Sequence, residues 1–274
     1  MLSVKAAVLG SPVSHSLSPV LHNAAYRALG LDHSYSAIEI AESDLGNFLD
    51  SVDENWLGVS LTMPLKEVAF EFAQTCDELA NLTGAINTFV FREQLEAYNT
   101  DVLGIVDALT EAGSGQIDTA VIFGSGATAR SALVATQRLG AKEVTCVARN
   151  VDDVMRMKSV AAAIGVEFCH TETSESGWLV ADVVVNTTPV GVLDEIAREV
   201  YSPNGLLLDV VYNPWPTQLA ASWAVTGGTI VSGLSMLLHQ AAHQVTLMTG
   251  KTAPVAHMRE ALNAELLTRG LNTI

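Results

Sequence analysis

Residues 119–129 read TAVIFGSGATA, and this stretch decides the predicted fold of the chain. Its first five residues predict a buried strand, the GSG triplet a turn, and the residues from Ala129 to Leu139 an amphipathic helix. In such a turn Gly124 allows the sharp bend, Gly126 lets the backbone approach a pyrophosphate, and Ala129 permits close packing of helix on strand. The alternative is an ordinary turn between a strand and a helix. The complete strand–turn–helix context favours a dinucleotide site, with phosphates held by free N–H groups at the helix start.

Segments of strand length alternate with amphipathic segments of helix length on both sides of this stretch, which predicts α/β architecture with largely parallel strands. Ser18 and Pro19 are predicted to open the first helix as its cap and first helical residue, and Gly30 to close it. The other predicted strands are Val4–Leu9, Tyr35–Ile40, Leu57–Met63, Phe89–Phe91, Leu95–Tyr98, Val144–Ala148, Asp182–Val185, Leu206–Val210 and Thr229–Val231. The other predicted helices begin at Pro64 or span Asp101–Glu111, Ser235–Met248 and Pro254–Leu267.

The composition is that of a folded acidic protein. Of 274 residues, 49% are apolar and 16% are charged, which is ample for a core in one large or two modest domains. The formal net charge of −16 predicts no binding to nucleic acid or anionic membranes, although a locally positive pocket can still bind an anionic substrate. Polar residues interrupt every apolar stretch well before the ~18 residues that span a bilayer.

Cysteine usage predicts a reducing environment. Cys76, Cys146 and Cys169 are widely spaced and none belongs to a CxxC pair, so free buried thiols are expected. The first ten residues, MLSVKAAVLG, predict a strand that runs into a turn and show no secretion signal. These features predict a cytoplasmic protein.

The end of the second strand of the dinucleotide unit bears on cofactor choice. NAD-binding units usually place an acid there to bond the ribose 2′-hydroxyl. This chain has Ala148-Arg149-Asn150 instead, and the guanidinium of the arginine can clamp a 2′-phosphate or stack on adenine. The missing acid favours NADP over NAD. NAD stays open, because Asp152 and Asp153 follow closely and a solvated surface arginine is the plain alternative.

Lys66 and Asp101 form the predicted chemical centre. Lys66 lies in the first turn after a predicted strand, and Asp101 lies at a helix start, where the helix dipole favours its anion. Reduction of a ketone by hydride needs a proton donor at the developing alkoxide, and a lysine with a nearby carboxylate can supply that proton. Taken singly, each residue is more often a surface charge, and sequence spacing alone does not bring the two together.

Two further polar groups have both a functional and a structural interpretation. The loop Ser14–Ser18 clusters hydroxyls that can bind a carboxylate, whereas Ser18 can equally serve only as a helix cap. His239 and His243 lie one helical turn apart on a predicted helix. Gln240 replaces the glutamate of an HExxH zinc motif and no third ligand is evident, so no metal is predicted.

Seven ordered segments resemble the shikimate dehydrogenase family along nearly the whole chain. Seven segments in order, with sensible spacing, are far more specific than any one of them. They are Gly10–Pro19 with His22-Asn23, Thr62–Lys66, Gly84–Thr88, Asn99–Asp101, Asn186–Gly191, Asp209–Pro214, and Gly233–Met236 with Gln240–His243.

The resemblance implies a reaction, a cofactor and a role for each site residue. The reaction is the reversible, NADP-dependent reduction of 3-dehydroshikimate to shikimate, a step of chorismate and aromatic amino-acid biosynthesis. Ser16, Ser18 and Tyr212 would hold the substrate carboxylate, Thr62, Asn87 and Gln240 would bond the ring hydroxyls, and Lys66 and Asp101 would lie beside the reacting oxygen. Gly124, Ser125, Gly126, Ala127 and Arg149 would bind the dinucleotide, and Thr187, Val211 and Gly233 would border the nicotinamide.

The resemblance also implies two domains, the first of them discontinuous because the C-terminal helices return to it. The expected substrate-binding domain comprises residues 1–102 and 236–274. The expected Rossmann-like, doubly wound dinucleotide domain comprises residues 103–235, and the ligands are expected in the cleft between the two. The expected partners are small molecules alone, and the chain is expected to be a monomer or a homodimer.

Departures from the family pattern leave alternatives open. Ser60 stands where many relatives have asparagine, and Asn150 replaces the usual threonine. Asp153 stands where relatives place a second basic residue, for which Arg156 or Lys158 can compensate. The nearest rival is an NAD-dependent quinate or quinate/shikimate dehydrogenase. A folate dehydrogenase of similar architecture is disfavoured by the hydroxyl-rich loop. A regulatory module that binds nicotinamide or shikimate without turnover is disfavoured by the intact lysine and aspartate.

Overall fold

The computed structural model describes residues 4–173 and 176–274 and divides into two compact units. The first unit comprises Met1–Thr100 and Leu237–Ile274, and the second comprises Asp101–Met236. Strands alternate with helices in both units, so the predicted α/β class is confirmed.

The first unit contains a six-stranded mixed sheet. Its strands are β1 (Lys5–Gly10), β2 (Ser34–Glu39), β3 (Trp56–Leu61), β4 (Thr75–Cys76), β5 (Thr88–Phe91) and β6 (Leu95–Tyr98), and its helices are α1 (Ser18–Ala28), α2 (Leu45–Asp50), α3 (Leu65–Val68) and α4 (Glu78–Thr83). The order across the sheet is β2-β1-β3-β5-β6-β4. β1 runs parallel to both of its neighbours, whereas β5 pairs antiparallel with β3 and with β6, which is the predicted hairpin.

The central strand β1 explains how this sheet acquires a core on each face. Successive side chains of a strand point to opposite faces. Leu9 therefore packs with Val59 and Phe89 in one buried cluster, while Val8 packs with Tyr26 in another. A strand that is buried on both faces has a continuous run of apolar residues. In β1 this run is AAVL, which is why the strand was predictable from the sequence.

The second unit contains a six-stranded sheet in which every neighbouring pair is parallel. Its strands are β7 (Thr119–Phe123), β8 (Glu143–Val147), β9 (Glu167–Thr171), β10 (Val183–Asn186), β11 (Leu206–Asp209) and β12 (Thr229–Ser232), and its helices are α5 (Asp101–Glu111), α6 (Ala127–Arg138), α7 (Val151–Ile164) and α8 (Gln218–Val225). The order β12-β11-β10-β7-β8-β9 is that of a doubly wound Rossmann sheet, so this prediction is confirmed. The strand order reverses between β7 and β10.

Two long helices complete the chain. α9 (Gly233–Thr249) begins in the second unit and continues into the first, and α10 (Val255–Thr268) lies in the first unit, where it packs on α1. Both were expected from their apolar periodicity. Within the described residues, no helix combines the length and the apolar character needed to cross a membrane.

Three sequence expectations need comment at the level of local structure. The prediction that Ser18 caps α1 is wrong, since Ser18 is already helical and the Ser16 hydroxyl accepts its N–H at 3.2 Å. The predicted end of α1 is confirmed, because Gly30 follows it with a φ of +66°. β9 was not predicted because it is an edge strand, only partly buried, whose sequence EFCHT lacks apolar alternation.

All three cysteines are free, but they differ in burial. Cys146 is buried within β8, and burial raises the pKa of its thiol to about 12. Cys76 is half-buried and Cys169 is exposed, so the expectation of uniformly buried thiols is wrong. The reason is the position of Cys169 on the edge strand β9.

Candidate active site

The glycine turn lies where the strand order of the second sheet reverses. Gly124 follows β7 with a φ of +100°, and a Cβ at this position would collide with the Thr187 hydroxyl. Thr187 follows β10, and its hydroxyl donates to the carbonyl of Phe123 at 2.7 Å. A residue other than glycine is therefore excluded both by backbone conformation and by space.

Gly126 lies in different surroundings from Gly124. Its φ of −74° suits any residue, and, apart from its immediate neighbours in the chain, no atom of the described residues lies within 4 Å of the place where a Cβ would be. It is the N-cap of α6, and the first N–H groups of an α-helix have no acceptor within the helix. The absence of protein packing against this glycine fits the close approach of a phosphate group to the helix start. Ala129 is fully buried, as close packing of helix on strand requires.

A pocket of about 700 Å³ opens beside this turn, entirely within the second unit. It is lined by the turn, by the end of β8, and by the segment that follows β10. Among its lining residues are Gly124, Ser125, Arg149, Asn150, Thr188 and Pro189. Its size and position at the carboxyl edge of a parallel sheet fit one end of a dinucleotide.

Arg149 projects into this pocket as an exposed side chain. The nearby acid, Asp153, does not stand alone as a negative charge. Its carboxylate accepts from the Asn150 amide at 2.7 Å and pairs with Arg156 at 3.5 Å. The Asn150 side chain in turn caps α7 by accepting the N–H groups of Asp152 and Asp153. The aspartate that departs from the family pattern thus serves the start of α7, with Arg156 as its counter-ion.

A buried carboxylate organises the neighbouring strand ends. Asp209, at the end of β11, accepts hydrogen bonds from the Asn186 amide at 3.0 Å, the Val211 N–H at 3.1 Å and the Thr217 hydroxyl at 2.6 Å. Asn186 holds the Thr188 N–H and hydroxyl at 2.9 and 2.7 Å. Burial raises the pKa of Asp209, while its three donors work in the opposite direction. The network fixes the loops that carry Thr187 and Val211.

Gly233 begins α9 directly after β12. A Cβ here would collide with the carbonyl of Val210, so the glycine permits a close approach of two backbone segments. Tyr212 follows Val211 as a half-buried side chain. Thr187, Val211, Tyr212 and Gly233 therefore all lie just beyond strand ends of the parallel sheet, in the segments after β10, β11 and β12.

One edge of the first sheet gathers the predicted substrate residues of that unit. β1 and β3 are parallel and end there, and the antiparallel β5 begins there. Thr62 follows β3 and donates its N–H to the Leu9 carbonyl at 2.9 Å, while Asn87 precedes β5 and its carbonyl accepts the Leu61 N–H at 2.8 Å. Lys66 lies in α3, where its carbonyl accepts the Ile86 N–H at 2.8 Å.

The Asn87 side chain is held in a defined orientation. Its Oδ1 accepts from the Thr100 N–H at 2.8 Å and from the Thr88 hydroxyl at 2.8 Å. Its Nδ2 donates to the Thr100 hydroxyl at 2.9 Å. Because a backbone N–H can only donate, these contacts fix which side of the amide carries oxygen.

Ser16 lies in the loop that follows the same end of β1, Ser18 begins α1 after that loop, and α9 supplies Gln240. Ser16 is half-buried and Ser18 is buried. The Gln240 amide donates to the Leu237 carbonyl at 2.9 Å. Gln240 shares a helix face with Gln244, four residues on, and Gln244 donates to the Asn87 carbonyl at 3.3 Å. Gln240 is thereby directed toward the same sheet edge.

Lys66 and Asp101 belong to different units. Lys66 is half-buried at the sheet edge just described. Asp101 is buried at the first position of α5, where the helix N-terminus stabilises a carboxylate. It directly follows Thr100, the residue that holds the Asn87 amide.

Sequence reasoning missed Gln244, Thr100 and Asp209 as participants in these networks. Thr100 and Asp209 lie within segments that carry the family resemblance, but all three side chains act through other residues, so the sequence did not indicate their roles. Ser60 was noted only as a departure, yet its buried hydroxyl links Tyr35 to Gln244. His239 and His243 were noted as a pair, and within the described residues no group of three or more histidines, cysteines or acids is placed to hold a metal.

The fold and the site together define a class of protein. The doubly wound parallel sheet of the second unit carries a glycine turn at its switch point, and the first unit gathers hydroxyl, amide and ammonium groups suited to a small polar substrate. This combination is typical of dinucleotide-dependent oxidoreductases that act on an alcohol group.

Comparisons with known proteins identify the family within that class. The family model for the shikimate dehydrogenase substrate binding domain matches residues 8–89, and that for the shikimate 5'-dehydrogenase C-terminal domain matches residues 233–262. The shikimate dehydrogenase (NADP(+)) of Methanococcoides burtonii is 34% identical over 263 residues, which cover 93% of this chain and 96% of the relative. The chain belongs to the shikimate dehydrogenase family.

Solved structures agree with this assignment. The crystal structure of Mycobacterium tuberculosis shikimate dehydrogenase is 40% identical, with a TM-score of 0.89, and the match covers 96% of this chain and 99% of that one. Shikimate 5-dehydrogenase from Thermus thermophilus, in complex with NADP(H) and shikimate, is 31% identical, with a TM-score of 0.82 and coverage of 95% and 99%.

Proposed function

We propose that this chain catalyses the reversible, NADP-dependent reduction of 3-dehydroshikimate to shikimate. The observation that carries the proposal is the gathering of Thr62, Lys66 and Asn87 at one sheet edge, in a chain that also has the Gly124 turn of a dinucleotide unit. Family membership supports the same reaction, since curated relatives at 34% and 35% identity are NADP(+)-dependent shikimate dehydrogenases.

The substrate is held by neutral donors in this proposal. Ser16, Ser18 and Tyr212 bind its carboxylate, and Thr62, Asn87 and Gln240 bond its ring hydroxyls. Hydroxyl and amide groups suit a polyhydroxylated ring acid because they bond oxygen atoms without burying a cation. The net charge of −16 does not oppose this binding, because the local donors decide affinity at contact distance.

Lys66 and Asp101 act at the C3 oxygen. When bound, the nicotinamide supplies the hydride to C3 in reduction and accepts it in oxidation. The Lys66 ammonium donates a proton to the C3 oxygen as it gains negative charge, and the Asp101 carboxylate acts with it beside that oxygen. In the reverse direction the neutral amine takes the proton back from the C3 hydroxyl.

The second unit holds NADP with its backbone and with one arginine. The turn of Gly124, Ser125, Gly126 and Ala127 cradles the pyrophosphate, Arg149 meets the 2′-phosphate, and Thr187, Val211 and Gly233 border the nicotinamide. Exposure of Arg149 in the pocket and the engagement of Asp153 with Arg156 support NADP over NAD. A reducing cytoplasm is the proposed location, which the three free cysteines support.

One set of four assays tests the proposal. Purified protein is mixed with shikimate or with quinate, and with NADP⁺ or with NAD⁺, and formation of the reduced nicotinamide is followed by absorbance. The fastest trace is expected with shikimate and NADP⁺. A faster trace with quinate and NAD⁺ would instead favour a quinate dehydrogenase, and binding of shikimate with no absorbance change in any trace would favour a regulatory module.

A further inference from the structure

A chain of buried hydrogen bonds runs from the interior of the first unit to the Asn87 side chain. Its members are Tyr35, Ser60, Gln244, Thr88 and His22, and each of these residues is buried. All belong to the first unit, although α9 supplies Gln244 from a position 157 residues beyond Asn87. None of these five side chains has a role in the reaction proposed above.

The direction of every bond in this chain follows from one backbone group. The Thr100 N–H can only donate, so the Asn87 atom that it meets at 2.8 Å is the carbonyl oxygen. The Thr88 hydroxyl, which lies 2.8 Å from the same oxygen, must therefore donate to it. Its own oxygen is then the acceptor for the Gln244 amide nitrogen at 3.0 Å.

The same reasoning fixes the donors and acceptors at the buried end of this series of hydrogen bonds. With its nitrogen toward Thr88, Gln244 presents Oε1 to the Ser60 hydroxyl at 2.8 Å, and that hydroxyl must donate. The Ser60 oxygen then accepts the Tyr35 hydroxyl at 2.5 Å. His22 Nε2 lies 3.2 Å from the same Gln244 oxygen and so carries the ring proton.

We propose that these linked hydrogen bonds, from Tyr35 through Ser60 and Gln244 to Thr88, form a relay that positions the Asn87 side chain. Gln244 is the central positioning residue of this relay and Thr88 is its last link. The proposal deepens the function given above, since it rests on Asn87 as a ligand of the substrate ring. Hydrogen bonds with Thr100 and Thr88 hold the Asn87 side-chain amide in one orientation. Preorganised groups lose less conformational entropy on binding than mobile ones.

The relay also accounts for Ser60, which departs from the asparagine of many relatives. A serine hydroxyl both donates and accepts, so it can join the Tyr35 hydroxyl to the Gln244 carbonyl. His22 stacks on the Tyr35 ring with 3.9 Å between ring centroids, which holds both donors at the buried end. Ser60 and Gln244 therefore depend on each other within this series of hydrogen bonds.

The test is a matched series at Thr88. Thr88→Val keeps the shape of the side chain but removes the donor to Asn87, whereas Thr88→Ser keeps the hydroxyl. Thr136→Val, a buried threonine in α6 that bonds only helix carbonyls, is the control for loss of a buried hydroxyl. Thr88→Val is expected to raise KM for shikimate about tenfold, the value of roughly one hydrogen bond, and to leave KM for NADP⁺ unchanged. Thr88→Ser and Thr136→Val are expected to keep both KM values near those of the unaltered protein.

A second measurement does not depend on activity. With ¹⁵N-labelled asparagine, the Asn87 side-chain amide protons of the unaltered protein are expected to exchange slowly with solvent, and those of Thr88→Val to exchange faster. Tyr35→Phe removes only the hydroxyl that donates to Ser60, and it is expected to speed the exchange of the Asn87 amide protons by a smaller amount. It replaces Thr88→Val as the test if that variant does not fold. Unchanged KM for shikimate together with unchanged amide exchange would overturn the relay. Slow exchange that depends on Thr88, in a protein that does not oxidise shikimate, would support the relay and overturn the proposed function.

Discussion

The glycine turn of the second unit and the sheet edge of the first unit that carries Thr62, Lys66 and Asn87 are built in different ways. In the second unit the glycine turn is one contiguous stretch, and its fitness for a phosphate lies in backbone conformation and open space at Gly124 and Gly126. In the first unit the proposed substrate edge, which is the sheet edge that carries Thr62, Lys66 and Asn87, is assembled from four separate segments. Its suitability for a polar ligand lies in side-chain hydrogen bonds such as those on Asn87. A site built from backbone groups leaves little room for side chains at its glycines. A site built from side chains depends on supporting residues that lie far away in the sequence.

This contrast predicts which changes affect chemistry and which affect cofactor binding. Changes at the substrate edge should alter turnover or KM for shikimate and leave KM for NADP⁺ alone. Changes at the turn and at Arg149 should do the reverse.

Lys66→Ala should have the largest effect. Loss of the proton donor is expected to lower kcat by about 10²–10⁴-fold, with KM for NADP⁺ within twofold, because general acid catalysis contributes roughly that much. The control is Lys142→Ala, which removes a surface lysine that pairs with Asp118. Steady-state kinetics with shikimate and NADP⁺ provide the readout, and near-normal turnover of Lys66→Ala would remove this lysine from the chemistry.

Arg149→Gln should change cofactor preference. A charge-assisted hydrogen bond is worth about 1.5–3 kcal/mol, so KM for NADP⁺ is expected to rise roughly 10–100-fold while KM for NAD⁺ stays unchanged. The matched variant is Arg138→Gln, at the opposite end of α6 from the glycine turn. An equal loss with both cofactors would show that Arg149 does not recognise the 2′-phosphate.

Gly124→Ala and Gly126→Ala should separate an effect on folding stability from an effect on NADP⁺ binding. Gly124→Ala is expected to destabilise the protein by about 1–3 kcal/mol, because φ is +100° and the new Cβ meets Thr187. Gly126→Ala is expected to leave the free energy of unfolding within about 1 kcal/mol of its original value, yet weaken NADP⁺ binding several-fold. Urea unfolding and titration with NADP⁺ measure the two effects. Unaltered NADP⁺ affinity in Gly126→Ala would mean that no phosphate approaches this residue.

His22 should make the free energy of unfolding depend on pH. At neutral pH this effect should be small, because the ring is largely neutral in both the folded and the unfolded chain. Burial lowers the pKa of His22 to about 3, against 6.5 for an exposed histidine, and its ring faces Gln244, Tyr35 and Tyr26, none of which is charged in this range. The unfolded chain therefore binds the extra proton first, and stability falls as pH drops below 6.5 toward 3, by up to about 1.4 kcal/mol per pH unit from this group.

The matching variant is His22→Gln, which cannot titrate and keeps an amide to meet Gln244. Urea unfolding at pH 7, 6 and 5 should show a shallower decline for His22→Gln than for the unaltered protein. Parallel declines would show that His22 does not contribute to acid sensitivity.

The same contrast explains how much could be predicted from the sequence. The strand–turn–helix around Gly124 and the continuous apolar runs of β1 and β7 were predictable, because local conformation and burial on both faces leave a periodic signature. At the substrate edge, Lys66 and the hydroxyls of the Ser14–Ser18 loop were candidates from their residue types, whereas Thr62, Asn87 and Gln240 were named only through family resemblance. The supports of that edge, such as Gln244 and Thr100, were not predictable, since nothing local shows that α9 packs against the start of β5. The capping prediction at Ser18 failed because Ser16, two residues earlier, supplies the hydroxyl instead.

The central claim is that hydride leaves C3 of shikimate for NADP⁺ on this protein. The most direct measurement uses shikimate that carries deuterium at C3, incubated with the protein and NADP⁺, and NMR of the reduced cofactor. Deuterium at C4 of the nicotinamide, together with formation of 3-dehydroshikimate, is the predicted result. Reduced cofactor without deuterium, or no reduced cofactor at all, would contradict the account.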